Sequence, residues 1–600
     1  MAEFKNPNQQ GGGDNRSLVV MMLVMVTVFF GLQYFRAKHN PQTVSPNAAS
    51  SAPAQTGGQS GSAGTPPVVP ASAGAAAGAS AVPTVAAAAE STTTVENELY
   101  RITFSNRGGQ VTSWILKNYM DSDGKQQLNL VHGLAAAQVG FPLSLYSYDA
   151  ALTSTLNHAL YVPSATGNLS SPATLTFSYS DGAIQVRKTF SFDETYVLHA
   201  DVEVTRNGAP VRALINWPGG FGDQDNAAAY NGAQLDISRD AKEQHLAPKK
   251  IVNGDTLNGP FDWAGTSDTY FAAIFLPDSP DTATLATLSS KLDVSKTIRR
   301  TGLGSGAPAR GAIEVPILGA ALGDTSGRTQ ARVFVGPKAV SVLRGIHSTG
   351  NTTTLEPLLD FGFFGPIGKY LFLALRFIHS HIASNWGWAI VILTVLINIL
   401  ILPFKIKTMQ SGLKMQRIQP QMDAIKERYK KYKATDPKRS EMNVEIMKLQ
   451  KDNGVNMFGG CIPTLITMPL LFAIFTMLRS VVELRQAHWL WLPDLSAADP
   501  WHILPIMMVI SQFLVQFYTP SPGVDPQQQK MMAFMMPAVS GYFTWNYASG
   551  LALYWAVGNF IGIIQQAVMN RTSLGREMRE IAAKRARRKA GAPATIQGKR

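Results

Sequence analysis

Six hundred residues carry 53 Lys+Arg against 40 Asp+Glu, are 45% apolar and include a single cysteine. The length leaves room for several folded units, and one thiol excludes a disulfide framework, a CxxC redox pair and a thiolate zinc cluster. The charged fraction, 16%, lies below the roughly 25% of soluble domains, which points to membrane or low-complexity sequence. A net charge of +13 would suit a nucleic-acid binder, so its placement decides. Residues 405–453 carry +7 and residues 571–600 carry +8, which leaves −2 for everything else. Both basic segments abut long apolar runs, the pattern of cytoplasmic loops under the positive-inside rule. A basic patch on a folded surface is not the pattern, and no DNA partner is expected.

The first apolar run, 18–32, is broken only by Thr27 and Gly31 and lacks a nearby small-x-small cleavage site. It predicts an uncleaved signal-anchor helix within 1–36. Residues 37–94 are mostly Ala, Ser, Gly, Pro and Thr, too poor in large side chains to offset ordering entropy, and predict a disordered tether. From 95 to 350 short alternating runs with turn signals take over. Leu175, Phe177 and Tyr179 alternate with Thr176 and Ser178, then Asp181-Gly182 leads into Ile184 and Val186. That predicts a hairpin with a type I′ turn inside a large antiparallel β-sandwich. Residues 355–384 carry Leu371, Phe372, Leu375 and Ile378 at helical spacing, which predicts an amphipathic helix lying in the headgroup region.

Five apolar segments follow, at 386–402, 461–478, 503–517, 531–547 and 551–569. Each is slightly short for a hydrocarbon core that needs about 20 residues. Trp386, Trp388, Trp489, Trp491 and Trp501 flank them at one level, as an interfacial belt requires. With both basic segments inside, the β-domain lies outside and the first anchor runs in to out. The expected total is six spans. Between the second and third, residues 405–456 predict a cytoplasmic hairpin of two helices, with Gln419-Pro420 starting or kinking the first and Pro437 opening the second. Methionines along this hairpin and at 531–536 suit either a surface for varied apolar partners or simple gap filling.

No ionisable residue lies inside the last five segments, which argues against an ion-coupled transporter or proton relay. Their uncharged polar residues recur at helical spacing: Thr394 with Asn398, Thr464 with Thr467, Gln512 with Gln516, and Trp555, Asn559, Gly562 and Gln566 along one face. In the expected topology most lie in the cytoplasmic half of the bilayer, whereas Ser540, Thr544 and Asn546 lie in the outer half. These groups would either glue the bundle by interhelical hydrogen bonds or line a wet cavity open to the cytoplasm.

From Asn385 onward several motifs occur in a fixed order: Asn385-Trp386-Gly387, Gly459-Gly460-Cys461-Ile462-Pro463, Met468-Pro469, Val482-Glu483-Leu484-Arg485-Gln486, Asp494-Leu495-Ser496, Ile503-Leu504-Pro505, Asp525-Pro526, Ser549-Gly550-Leu551 and Gln565-Gln566. Over about 200 residues this stretch resembles the YidC membrane-protein insertase family and its Oxa and Albino relatives. The anchor, tether and β-domain resemble that family's Gram-negative branch. The resemblance implies a polytopic α-helical membrane protein with six transmembrane helices, five of them forming an insertase core at 385–570, a periplasmic antiparallel β-supersandwich and a basic cytoplasmic tail at 571–600. It implies insertion and folding of nascent inner-membrane proteins without an energy source, alone or beside the Sec translocon. The implied hydrophilic groove is lined by Thr394, Asn398, Thr464, Thr467, Gln512, Gln516, Trp555, Asn559 and Gln566.

This chain departs from the family pattern at several positions. The groove arginine falls at Asn398, Thr467 replaces a common Gln, Ala548 a common Pro, and Trp555 a common Tyr. The groove is therefore expected to hold no formal charge. Lys584, Arg585, Arg587, Arg588 and Lys589 of the tail would meet the ribosome or anionic lipids. No enzyme activity, cofactor, metal or small-molecule substrate is expected. A mutarotase-like site wants a His and a carboxylate in a cleft, and His132, His158, His199, His245 and His347 sit in no recognisable motif.

Overall fold

A computed structural model describes residues 83–590 except 123, 223–228, 296–312, 351–352, 433–435, 456–461 and 519–525. The expected signal anchor and nearly all of the tether lie outside the described residues. Regular pairing begins before the expected boundary at 95. Val85 bridges Ser180, and Thr92–Glu96 is already a strand. Thr93 and Val95 are buried on its inner face. Threonine is polar but β-branched and fits a half-buried strand, which is why composition placed this edge too late.

The described β-domain contains three sheets. The large one orders 242–246, 234–239, 263–267, 271–277, 328–337, 197–206, 184–192, 173–180 and 162–163. Two five-stranded sheets flank it, one built on 92–96, 100–105 and 110–120, the other on 283–293 and 314–324. Pairing is antiparallel except where Thr92–Glu96 lies parallel to Gly167–Ser170. The predicted hairpin forms, but not with a type I′ turn. Ser180 pairs with Gln185, which leaves four residues between them. Asp181 Oδ1 accepts from Ala183 N (2.9 Å) and Ile184 N (2.6 Å), and only Gly182 takes positive φ. A type I′ turn needs positive φ at both central residues; here Asp181 N donates to Ile184 O at 3.1 Å and the aspartate side chain holds the turn around Gly182 and Ala183.

Phe104, Phe177 and Phe190 pack together in the domain core, and Trp114 meets Trp217 edge-on at 5.9 Å. One cation sits among these aromatics. Lys188 is fully buried, and its Nζ donates to the carbonyls of Gly108 (3.0 Å), Gly109 (2.7 Å) and Leu143 (2.6 Å). Three acceptors match the three donors of an ammonium.

Eight helices matter for the rest: α1 (Gly365–His381), α2 (Trp386–Arg428), α3 (Pro437–Asp452), α4 (Ile462–Ser480), α5 (Ile503–Tyr518), α6 (Pro526–Thr544), α7 (Ser549–Arg571) and α8 (Ser573–Ala590). Of the two expectations at Gln419-Pro420, a helix start is not seen. Helix α2 runs unbroken for 43 residues with Pro403 and Pro420 inside it. An interior proline costs about 3 kcal/mol. Packing offsets that cost at Pro420, because Ile418 and Met422 are buried with Val455 and against Ile446 and Leu449. Pro437 does open α3, as its fixed φ favours at a helix start.

The described chain divides into compact units, with Lys426–Val444 in one and Ala81–Ile425 together with Glu445–Arg600 in the other. In the smaller unit the ammonium groups of Lys431 and Lys438 lie 5.4 and 5.0 Å from the Tyr432 ring. In the larger one a single apolar cluster runs from the sandwich through Leu355, Leu358 and Phe361 into α1, α2, α4 and α7. Helix α1 buries Phe372, Leu375 and Ile378 and packs mainly on α4, with Phe364 stacked on Phe472 at 6.2 Å. Its Tyr370 and Phe377 remain exposed. Among the described residues two helices, α2 and α7, are long and apolar enough to cross a membrane, and 467–480 and 503–516 are shorter apolar helical stretches.

Candidate functional site

The polar residues of α2 form a ladder along one face. Thr394 is fully buried and its Oγ1 donates to Ile390 O (2.7 Å). Asn398 Nδ2 donates to Thr394 O (2.9 Å). Both bonds run back one helical turn, the usual way a short polar side chain is satisfied inside an apolar helix. Asn398 Oδ1 then accepts from Lys405 Nζ (3.1 Å), and the same ammonium donates to Gln565 Oε1 on α7 (2.8 Å). Gln565 Nε2 points back to Asn398 O at 3.4 Å. Two apolar helices are thus joined by amides around a cation.

This corrects the expectation that the site holds no formal charge. Lys405 lies three residues past the apolar run and seven past Asn398, so it shares that residue's helix face two turns on. Helical side chains lean toward the N-terminus, which lets a four-carbon stem reach back. That geometry could have been inferred from spacing. Gln565 was seen only as part of a motif, and Ser511 was not singled out at all.

The other expected site residues do not all join this cluster. Asn559 Nδ2 donates to Ser511 Oγ (3.2 Å), which ties α7 to α5. Gln566 bonds Asn570 within α7 (2.9 Å). Gln512 and Gln516 are half-buried on α5 and form no side-chain hydrogen bond among the described residues, while Trp555 and Thr467 are half-buried on α7 and α4. The side chain of Thr464 lies outside the described residues. Of the alternatives raised by the spacing, interhelical hydrogen bonding is present at Asn398–Gln565 and Asn559–Ser511.

The far end of these helices is closed by the motifs. Asn385 caps α2 and donates to His488 O (2.8 Å). Gly387 lies so close to Trp489 that a Cβ would meet its Cγ at 2.2 Å. Ser549 Oγ donates to Asp494 O (2.8 Å), and Gly550 N donates to Leu495 O (2.8 Å). Next to this, Arg485 donates to Met120 O (2.7 Å) and lies over Phe271, and Gln486 donates to the same carbonyl (3.2 Å). These bonds dock the sandwich on the loop before α5. At the other end Arg417 Nε binds Glu577 (2.8 Å), which clamps tail helix α8 to α2. Lys584 is exposed on α8, while the side chains of Arg585, Arg587, Arg588 and Lys589 lie outside the described residues.

Residues 377–576 match the family model described as 60Kd inner membrane protein, and residues 92–374 match that of the YidC periplasmic domain. The membrane protein insertase YidC of Geobacter sulfurreducens is 31% identical over 487 residues, covering 79% of this chain and 85% of that protein. This chain belongs to the YidC membrane protein insertase family. The insertase of Burkholderia orbicola is 31% identical over 584 residues, 93% of this chain and 98% of its own. A crystal structure of an active YidC insertase with its first transmembrane domain resolved aligns over 81% of this chain and 95% of that one, with a TM-score of 0.32 and 16% identity. This insertase is therefore an inner-membrane protein whose clients are nascent membrane proteins, with a β-rich periplasmic-type domain, and it is not a catalytic enzyme in the usual sense.

Proposed function

We propose that this insertase receives a client's short polar flank in a hydrophilic groove between α2, α5 and α7, open to cytoplasm and lipid and closed outside. The ladder Thr394–Asn398–Lys405–Gln565 is the observation that carries this. A polar flank crossing hydrocarbon unaided costs several kcal/mol per unsatisfied group. Donors and acceptors that reach half-way lower that barrier without an energy source. The client's apolar segment slides along α4 and α6, whose Met531, Phe534, Met535 and Tyr542 are exposed. Helix α5 has 16 residues, about 24 Å at 1.5 Å per residue, short of a core of about 30 Å, and so favours local thinning of the bilayer.

The remaining organisation belongs to the same proposal. The anchor (1–36) runs outward, the tether (37–94) leads to the periplasmic sandwich (95–350), helix 355–384 lies at the interface, and five spans form the core (385–570). The hairpin (405–456) and tail (571–600) are cytoplasmic, where they meet the ribosome, anionic lipid and the Sec translocon. Photocrosslinkers at 394, 398 and 555 should capture a stalled nascent membrane protein. No crosslink from any of the three would contradict the groove.

A further inference from the structure

We infer that Glu483 is a release element where the β-sandwich meets the helical core: its carboxyl holds the two together while neutral and loosens them once ionised. This is independent of the groove proposed above. Glu483 lies in the single turn Val482–Leu484, ahead of α5. Its neighbours Val481, Val482 and Leu484 are buried in the apolar cluster that also takes Val340, Leu343 and Ile346 from the end of the β-domain. Those anchors keep the side chain at the junction. One of its oxygens, Oε2, is buried, and among the described residues no donor reaches it. The two residues that follow clamp the same junction, Arg485 and Gln486 donating to Met120 O at 2.7 and 3.2 Å.

The groups that face this carboxyl come from each element around it: Tyr119 from strand 110–120, Arg376 from α1 and Arg485 from its own loop. Among the described residues no cation forms an ion pair with it, whereas Glu96, Glu356 and Glu577 each have one. Arg485 is engaged by Met120 O and the Phe271 ring. Tyr119 packs edge-on against Phe271 at 5.6 Å, and burial pushes its phenol up, so it stays protonated. A buried oxygen without donor or counter-ion suits the neutral acid. Burial accordingly raises the carboxyl above its ordinary 4.5, offset only in part by the backbone amides of Glu483 and Val340 and by the charge of Arg376. The docked state therefore holds this proton more tightly than the undocked state. Docking is fullest below 4.5 and weakens as the pH rises through the raised value.

The test uses the full chain in nanodiscs with the lone cysteine removed by Cys461→Ser. Spin labels are placed through Lys125→Cys on the sandwich and Ala498→Cys on the loop before α5, both exposed positions. Interlabel distances are read by pulsed electron resonance across a series from about pH 5 to about pH 8.5. The protein with Glu483 intact should move reversibly to longer and broader distances as the pH rises. Glu483→Gln, which copies the neutral acid, should stay docked, with a docked-to-undocked ratio about tenfold higher at the upper pH. A glutamate that only braces the junction gives the opposite sign, because its replacement would loosen the sandwich. Glu483→Gln that undocks further, or that follows the same pH profile, overturns the inference. So do distances that stay constant over the series with Glu483 intact, or that fail to recover on return to about pH 5. These last two readings need no substitution of Glu483, so they decide even where the Gln variant does not fold.

Discussion

Replacing Gly387 by alanine tests whether the closure at this end of the helices depends on close packing. An added Cβ would lie 2.2 Å from both Cγ and Cδ1 of Trp489. Carbon atoms pack at about 3.5 Å or more, so the indole would have to retreat by roughly 1.3 Å. Its surroundings oppose that. Trp489 is 7% exposed, edge-on to Trp388 at 5.6 Å and against Trp491 at 5.7 Å. Its backbone is tied to Leu492 by reciprocal hydrogen bonds of 2.9 and 2.8 Å. Overpacking of this kind costs about 1–3 kcal/mol, and the better helix propensity of alanine returns at most about 1 kcal/mol. The net expectation is a loss of about 1–2 kcal/mol, read as a melting temperature lower by several degrees for purified full-length protein in detergent. Gly387→Ala combined with Trp489→Leu should recover most of it, because the smaller side chain frees the space. A single variant as stable as the starting protein would refute the reasoning, since helix propensity would then have outweighed the clash.

Three further outcomes follow from the structure. Lys188→Met leaves the carbonyls of Gly108, Gly109 and Leu143 without their partner and should destabilise the protein by about 3 kcal/mol or more, measured by denaturant titration. The guanidinium of Arg101, with Lys117, holds the Glu96 carboxyl down to about 2 against an ordinary 4.5. Its folded pKa is depressed, so its contribution is present above 4.5 and is lost as pH falls from there towards 2. Allowing for partial exposure, Glu96→Gln should cost about 1 kcal/mol at pH 7, and the difference from the starting protein should shrink in an acid series. Removing 571–600 should weaken ribosome co-sedimentation most at low salt; binding that is identical across a salt series would remove the tail from ribosome contact.

Much of the architecture was legible because it rests on periodicity and charge. Alternation in 173–180 and 184–192 marks two strands that the structure pairs, and four of the five late apolar segments coincide with helical stretches that are apolar in the folded chain. Boundaries were less legible where two local tendencies compete. Thr92–Thr94 looked like tether because threonine is polar, and became strand because Val95 and Thr93 find a core. Pro420 reads in sequence as a helix start or a kink, and it lies in the interior of a 43-residue helix because Met422 and Ile418 find partners on α3 and beyond it.

The site divides in the same way. Composition and order alone determined that the positive charge resides in two segments beside apolar runs, that those runs exclude Asp, Glu, His, Lys and Arg, and that Thr394 and Asn398 share a helix face. Those properties depend only on residue type and helical pitch. Tertiary structure decided that α7 brings Gln565 to Asn398, that Asn559 binds α5 instead, and that Lys405 turns back to give the site its charge. A hydrogen bond needs its partner within about 3 Å, and residues 160 positions apart meet only when the helices pack. One of the charges counted in residues 405–453 thus lies on Lys405, hydrogen-bonded to Asn398 and Gln565.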